Sequence, residues 1–270
     1  MPISMHEALR DLGVRLRAGV KVDEHLVQTL RSLANDASGA RSRPGPENHR
    51  LLVLKIAHQL RLVVPADELD RLAFTSSFWN IHGSGLFTTD FIDFDLEQIA
   101  NRLIDAADGL ERELKRWEGA GHLIVPDTNV FIHHLNGNSI VETDWRAMTG
   151  ANSGPRLTIV LAVAVLDELD NLKRQAERSR ARQTVKEIGQ LTGDGVRADL
   201  GHDTALEILV PEPDHVPLPI ADNEIIDQAM QLARRAPLGS RVTIVTGDGG
   251  MAMRSRTMGQ SAVFLEQPNP

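Results

Sequence analysis

The 270 residues contain no cysteine. Disulfides, thiolate nucleophiles and sulfur-ligated metal centres are therefore excluded, and any metal must be held by oxygen or nitrogen. That composition fits a cytoplasmic protein. The chain also has no apolar run of about eighteen residues, so no membrane span is expected. The first residues, MPISMHEALRDLG, carry Glu7 and Asp11 and lack the apolar core of a secretory signal. An overall excess of positive charge is missing too. The formal net charge is −8, whereas a protein whose affinity rests on phosphate contacts is usually basic. One local exception is the segment Lys173, Arg174, Arg178, Arg180, Arg182 and Lys186, interrupted only by Glu177 and by Glu187 at its edge. Taken alone, such a run reads as a solvated helix face.

Hydrophobic residues make up 41% of the chain, enough to build a core. The length lies between one large domain and two ordinary ones. The pattern favours two: a helical domain over residues 1–120 and a second domain over 121–270, separated at Gly119 and Gly121. In the first, Leu9, Leu12, Val14 and Leu16 begin one amphipathic stretch, and Leu26, Val27, Leu30 and Leu33 a second. Ala37 to His49 (ASGARSRPGPENH) reads as an exposed loop. Leu51 to Val64 reads as a buried helix stopped by Pro65, and the stretch after Phe74 that holds Trp79, Gly83 and Gly85 as irregular. A last helix runs from about Leu96 to Trp117.

From His122 the pattern changes. Five short apolar runs, Leu123 to Asp127, Leu157 to Val163, Ala205 to Val210, Arg241 to Gly247 and Ser261 to Glu266, alternate with helical stretches at Val130 to Leu135, Val165 to Thr192, Asp222 to Ala236 and Met251 to Met258. This alternation predicts a parallel sheet with helices on both faces, a three-layer α/β/α fold preceded by an all-α domain.

Such a sheet binds ligands beyond the carboxyl ends of its strands, where two acids fall and two more, on helices, can converge. Asp127 ends the first strand and Asp248 follows the fourth. Each has an alternative reading, Asp127 as a helix N-cap and Asp248 as part of a Gly-Asp-Gly turn. Glu168 borders the apolar stripe Val165, Leu166, Leu169 and Leu172. Asp222 precedes Ile225 and Ile226 by helical spacing and so continues that helix's buried stripe. It too could be an N-cap, and Glu168 a first-turn acid favoured by the helix dipole. Four carboxylates from four elements, if they converge, repel one another, and a divalent cation resolves the repulsion. Oxygen-only sites suit Mg²⁺ or Mn²⁺.

At LIVPDTNVFIHHL, VLAVAVLDELDNLKR, ADNEIIDQAMQL and VTIVTGDGGMAMRSRTMG the chain resembles the PIN domain family of nucleases, in order and approximate spacing, over residues 122–266. The resemblance implies that Asp127, Glu168, Asp222 and Asp248 form an acidic quartet that holds Mg²⁺ or Mn²⁺. It implies that Asn129 and Thr246 orient ligands or substrate, and that the activity is metal-dependent hydrolysis of RNA. In that context Lys173, Arg174, Arg178 and Arg182 become candidates for guiding the nucleic-acid backbone. His133 and His134 read as ordinary helix residues. The resemblance further implies that the chain can form a homodimer, and that a regulatory or antitoxin-like protein can pair with it, as in toxin-antitoxin systems. Binding of RNA or a partner without cleavage is the non-enzymatic alternative. A phosphohydrolase of the haloacid dehalogenase type also places Asp after its first strand, but it needs a second Asp where this chain has Asn129.

Overall fold

A computed structural model describes residues 14–17, 20–83, 87–135, 137–151, 156–172, 178–211, 215–237 and 239–266. The chain divides into two compact units, one ending at Trp117 and one built on the residues from Glu118 onward.

The first unit is helical. Asp23 starts α1 (Glu24–Ala40) by accepting the Leu26 N–H at 2.7 Å. Gly45 and then Pro46 in its first turn start α2 (Pro46–Leu60), a position where the missing proline N–H costs nothing. Two short helices follow, α3 (Ala66–Leu72) and α4 (Ser76–Gly83). Thr88 caps the long α5 (Thr89–Arg116), which buries Ile92, Leu96, Ile99, Leu103, Ala106 and Leu110 at helical spacing. These side chains meet Leu26, Leu30 and Leu33 of α1 in one core. Arg31 pairs with Asp108 and Glu111, and Arg41 with Asp93, along the edge of the α1–α5 contact.

Three expectations need correction here. Residues 37–49 are not a loop: α1 runs to Ala40, with Ala37 buried, and α2 begins at Pro46, leaving only residues 41–45 between them. The stretch holding Trp79 is helical from Ser76 to Gly83, because Phe78 and Ile81 give it a buried side. Residues 14–17 are not helical, and Leu9 and Leu12 lie outside the described residues.

In the second unit the strands form where the apolar runs are. They are β1 (Ala120–Pro126), β2 (Arg156–Ala162), β3 (Arg197–Gly201), β4 (Thr204–Leu209), β5 (Arg241–Thr246) and β6 (Ser261–Phe264). Their order in the sheet is β3-β4-β2-β1-β5-β6. All pairs are parallel except β3 with β4. The central strands are buried on both faces, with Leu123, Ile124, Val125, Ile159, Val160, Leu161, Ile244 and Val245 fully covered. The flanking helices are α6 (Trp145–Thr149), α7 (Val163–Leu172), α8 (Arg178–Thr192), α9 (Ala221–Arg235) and α10 (Gly249–Thr257).

The sixth strand, β3, was absent from the sequence expectation. It forms an antiparallel hairpin with β4 through a turn at Gly201, His202 and Asp203, all with positive φ. Arg197 of β3 lies opposite Glu207 of β4 and reaches that fully buried carboxylate at 3.6 Å. From β1 the chain builds outward through β2 to β4, then returns to the other side of β1 as β5. The carboxyl ends of β1 and β5 therefore flank the point where the strand order reverses, the place where open α/β sheets leave a crevice.

Candidate active site

Asp127 follows β1 directly. Its N–H donates to the Val245 carbonyl at 2.9 Å, extending the β1–β5 ladder by one residue and setting Asp127 level with Thr246. The carboxylate is 3% exposed. One oxygen accepts the Thr246 hydroxyl, and the other accepts the Val130 N–H at 3.0 Å, at the start of a π-helical turn over Val130–His134. In balance this carboxyl is pushed up to about 6, and burial is the largest cause. The Thr246 and Val130 hydrogen bonds pull it down, and the charges of Asp222 and Glu168 push it up again.

Thr246 is fully buried, and its hydroxyl serves two partners. It donates to Asp127 Oδ2 and accepts the Asp248 N–H at 2.9 Å, so one side chain ties together the ends of β1 and β5. Asp248 is the N-cap of α10, its Oδ1 accepting the Met251 N–H at 2.8 Å. A capping role and a ligand role are compatible here, since the cap uses one oxygen.

Between them, Gly247 lies against the buried ring of His134, whose Nε2 would be 2.5 Å from an added Cβ. Gly247→Ala must therefore displace either that ring or the Thr246–Asp248 backbone. We expect a stability loss of about 1–3 kcal/mol, typical of overpacking, read as a lowered Tm. Gly247→Ala/His134→Ala should be less destabilised than the two single variants added together.

Glu168 sits midway along α7 and is half-buried, on a helix whose buried residues are Val165 and Leu169. It accepts a hydrogen bond from the Thr128 hydroxyl, so the residue after Asp127 fixes the Glu168 carboxylate. Its neighbours Asp167 and Asp170 are exposed. Asp222 lies in the first turn of α9, but the cap position is Ile220, so Asp222 is not the N-cap. It is half-buried, and its Oδ2 accepts Arg254 Nη2 from α10 at 2.6 Å. The fully buried acid of this helix is Glu224. It accepts the Leu218 N–H at 2.8 Å and lies 2.6 Å from His215 Nε2, anchoring the segment that leads into α9. Burial works to raise the Glu224 carboxyl, but the Leu218, His215 and Gln228 hydrogen bonds outweigh it and hold it below the usual range. Asn129 is exposed, and its side chain makes no capping bond.

The four acids come from elements that surround the β1/β5 crevice, and two of them, Asp222 and Glu168, act electrostatically on Asp127. Among the described residues, however, no three acidic or histidine side chains stand close enough to ligate one ion. Each carboxylate is held by a protein partner instead: Asp127 by Thr246, Glu168 by Thr128, Asp222 by Arg254 and Asp248 by its own helix. The donor set nonetheless fits a hard divalent cation, with carboxylate oxygens only and an anion at Asp127 destabilised chiefly by burial and further by its like-charged neighbours.

Of the basic stretch, Arg182 and Lys186 are exposed on α8, while Ala181, Thr184 and Ile188 form its buried side. Arg178 begins that helix, and Lys173 and Arg174 lie outside the described residues.

Sequence reasoning missed Thr128, Arg254 and the His134–Gly247 contact. Thr128 carried a signal, since it follows Asp127 at the strand end. Arg254 carried none, because its partner is 32 residues away in the chain.

A search among curated proteins finds no match. A solved structure described as "A domain of a functionally unknown protein from Methanocaldococcus jannaschii DSM 2661" is similar at 19% identity, covering 55% of this chain and 94% of its own, with a TM-score of 0.35. No helix among the described residues is long and apolar enough to cross a membrane. The sequence profile of the PIN domain matches residues 124–266, just over half of the chain and all the elements that carry the acidic crevice. The chain belongs to the PIN domain family, whose members are generally nucleases.

Proposed function

We propose that the protein is a metal-dependent ribonuclease that hydrolyses phosphodiester bonds at the crevice between β1 and β5. The observation that carries this reading is the Asp127 carboxylate, set at the strand-order reversal, tied through Thr246 to Asp248, and destabilised first by its burial and further by the charges of Asp222 and Glu168. A site built this way is relieved by either a cation or a proton, and the two compete for it.

Asp127 and Asp248 would hold the principal Mg²⁺ or Mn²⁺ ion, with Asp222 completing the site and Glu168 holding a second ion or orienting water. When bound, such an ion supplies Lewis acidity to a phosphoryl oxygen and to water. The chain's own residues do the positioning. Thr246 fixes the Asp127 carboxylate from one side and the Val130 N–H from the other. Thr128 holds Glu168 in the orientation that faces the strand end. Asn129, exposed two residues after Asp127, would orient substrate. Arg182 and Lys186 offer the backbone of the RNA a positive face that offsets the acidic field.

The test compares single-stranded RNA with DNA of the same sequence, each incubated with Mn²⁺ and with EDTA. Cleavage of RNA that EDTA abolishes supports the reading, and cleavage of DNA alone would overturn the ribonuclease part. If neither strand is cut and a small protein co-purifies, a partner-inhibited or binding-only protein is the better account. Arg182→Glu/Lys186→Glu should weaken RNA binding at low salt and lower the salt slope by about 1.4, for two contacts at ~0.7 each on single strands. An unchanged slope would remove α8 from the interface.

A further inference from the structure

One cation near the acids has no role in the reading above. Arg254 projects from α10, and its Nη2 donates to Asp222 Oδ2 at 2.6 Å, joining α10 to the first turn of α9. A Cβ built on Gly250 would lie 3.4 Å from Arg254 Nη1 and 3.0 Å from Asp248 Oδ1, so both the guanidinium and a second acid of the site border the space over this glycine. The pair is open to solvent, with side-chain exposures of 46% for Arg254 and 35% for Asp222. Solvent-accessible pairs of this kind are weak in net terms. The same Asp222 that would complete an ion site is thus occupied by a permanent positive charge, and among the described residues the acids do not converge into a three-ligand cluster.

We propose that Arg254 is an internal counter-cation of the acidic site: in the ion-free protein it holds Asp222, and when a divalent ion takes Asp222 the guanidinium passes to a phosphate of the nucleic-acid substrate. The inference rests on the metal-dependent nuclease reading. It follows from charge and geometry together. A guanidinium stays protonated at any working pH, and it binds carboxylate and phosphate with the same planar fork. Exchanging Asp222 for a phosphate keeps the arginine paired in both states. Meanwhile the like-charged acids are never left without a cation, whether the ion is present or not. Arg254 is then a competitor for the ion and a binder of substrate, which separates it from a residue that merely braces α10.

The experiment measures Mn²⁺ binding to the full chain, from the electron paramagnetic resonance of free Mn²⁺, for wild type, Arg254→Gln, Arg254→Met and Arg254→Lys. The KM for single-stranded RNA at saturating Mn²⁺ is measured alongside. Removing the charge should tighten Mn²⁺ binding by roughly threefold to tenfold, since a weak competitor and a repelling charge both disappear. It should also raise KM. Arg254→Lys, which keeps the charge, should bind Mn²⁺ close to wild type. A purely structural arginine would give weaker or unchanged Mn²⁺ binding in the neutral variants. That result, with Mn²⁺ still bound by wild type, overturns the inference and leaves the nuclease reading standing. An unchanged KM in the neutral variants overturns the transfer to phosphate. Wild type that binds no Mn²⁺ overturns the nuclease reading, and the inference falls with it.

Discussion

Replacing Asp127 with Asn should raise the stability of the protein above pH 6 while removing its affinity for Mn²⁺. The carboxyl is held at about 6 against an ordinary 3.8, first by burial. Below 3.8 the group is protonated whether the chain is folded or not. Between 3.8 and 6 the folded chain binds the extra proton, so stability falls as pH rises through this window, and the deficit is fully present above it. At about 1.36 kcal/mol per tenfold, the ionised carboxylate costs the fold roughly 3 kcal/mol at pH 8. Asn removes that charge but keeps only one acceptor for the two donors, Thr246 and Val130, so the net gain is smaller, about 1–2 kcal/mol. For a unit of this size that is about 2–4 °C in Tm per kcal/mol. Thermal unfolding at pH 5 and pH 8 checks it. The variant should gain on wild type as pH rises, and an equal difference at both pH values would mean that no buried charge forms. The same proton competes with a cation, so wild-type Mn²⁺ affinity should fall steeply below about pH 6.

The second large effect is expected at Thr246. Valine has the same shape without the hydroxyl, so Thr246→Val leaves Asp127 Oδ2 without its donor and the Asp248 N–H without its acceptor. Stranding a buried polar group costs about 1–3 kcal/mol. A residue that orients a metal ligand through a hydrogen bond commonly contributes about 10–100-fold in affinity or activity. The Thr246 bond is the largest influence pulling the Asp127 carboxyl down. Its loss should move that carboxyl above 6 and extend the decline in stability with rising pH beyond that value. Thr246→Ser, which keeps the hydroxyl, should restore most of both. Wild-type Mn²⁺ affinity in the valine variant would show that the hydroxyl does not orient the site.

Much of this could be read from the sequence, and the reasons are physical. A strand buried on both faces must be an unbroken apolar run, so β1, β2, β4, β5 and β6 were legible with their ends nearly in place. An acid just past such a run can only emerge at the strand's carboxyl edge, which located Asp127 and Asp248. The hairpin strand β3 was not legible. It lies at the sheet edge, mixes charged and apolar residues, and turns through His202 and Asp203 rather than a glycine pair. Residues 37–49 look like a loop by composition, yet Ala37 packs into the core and Pro46 starts a helix where proline is tolerated. Composition alone cannot distinguish a helix-starting proline from a loop proline. The partners of the acids were least legible. Thr128 to Glu168, Arg254 to Asp222 and His134 to Gly247 are tertiary contacts, set by how elements pack.

The most direct test of the account is single-turnover cleavage of a single-stranded RNA pool with Mn²⁺ by wild type and Asp127→Asn, after matched circular dichroism has shown both to be folded. Losing an ion that is worth several kcal/mol to the transition state should slow cleavage by roughly 10³-fold. The account predicts cleavage by wild type and at least that loss in the variant. Equal cleavage by the two folded proteins would contradict it, because the chemistry would then lie somewhere other than the crevice that Asp127 anchors.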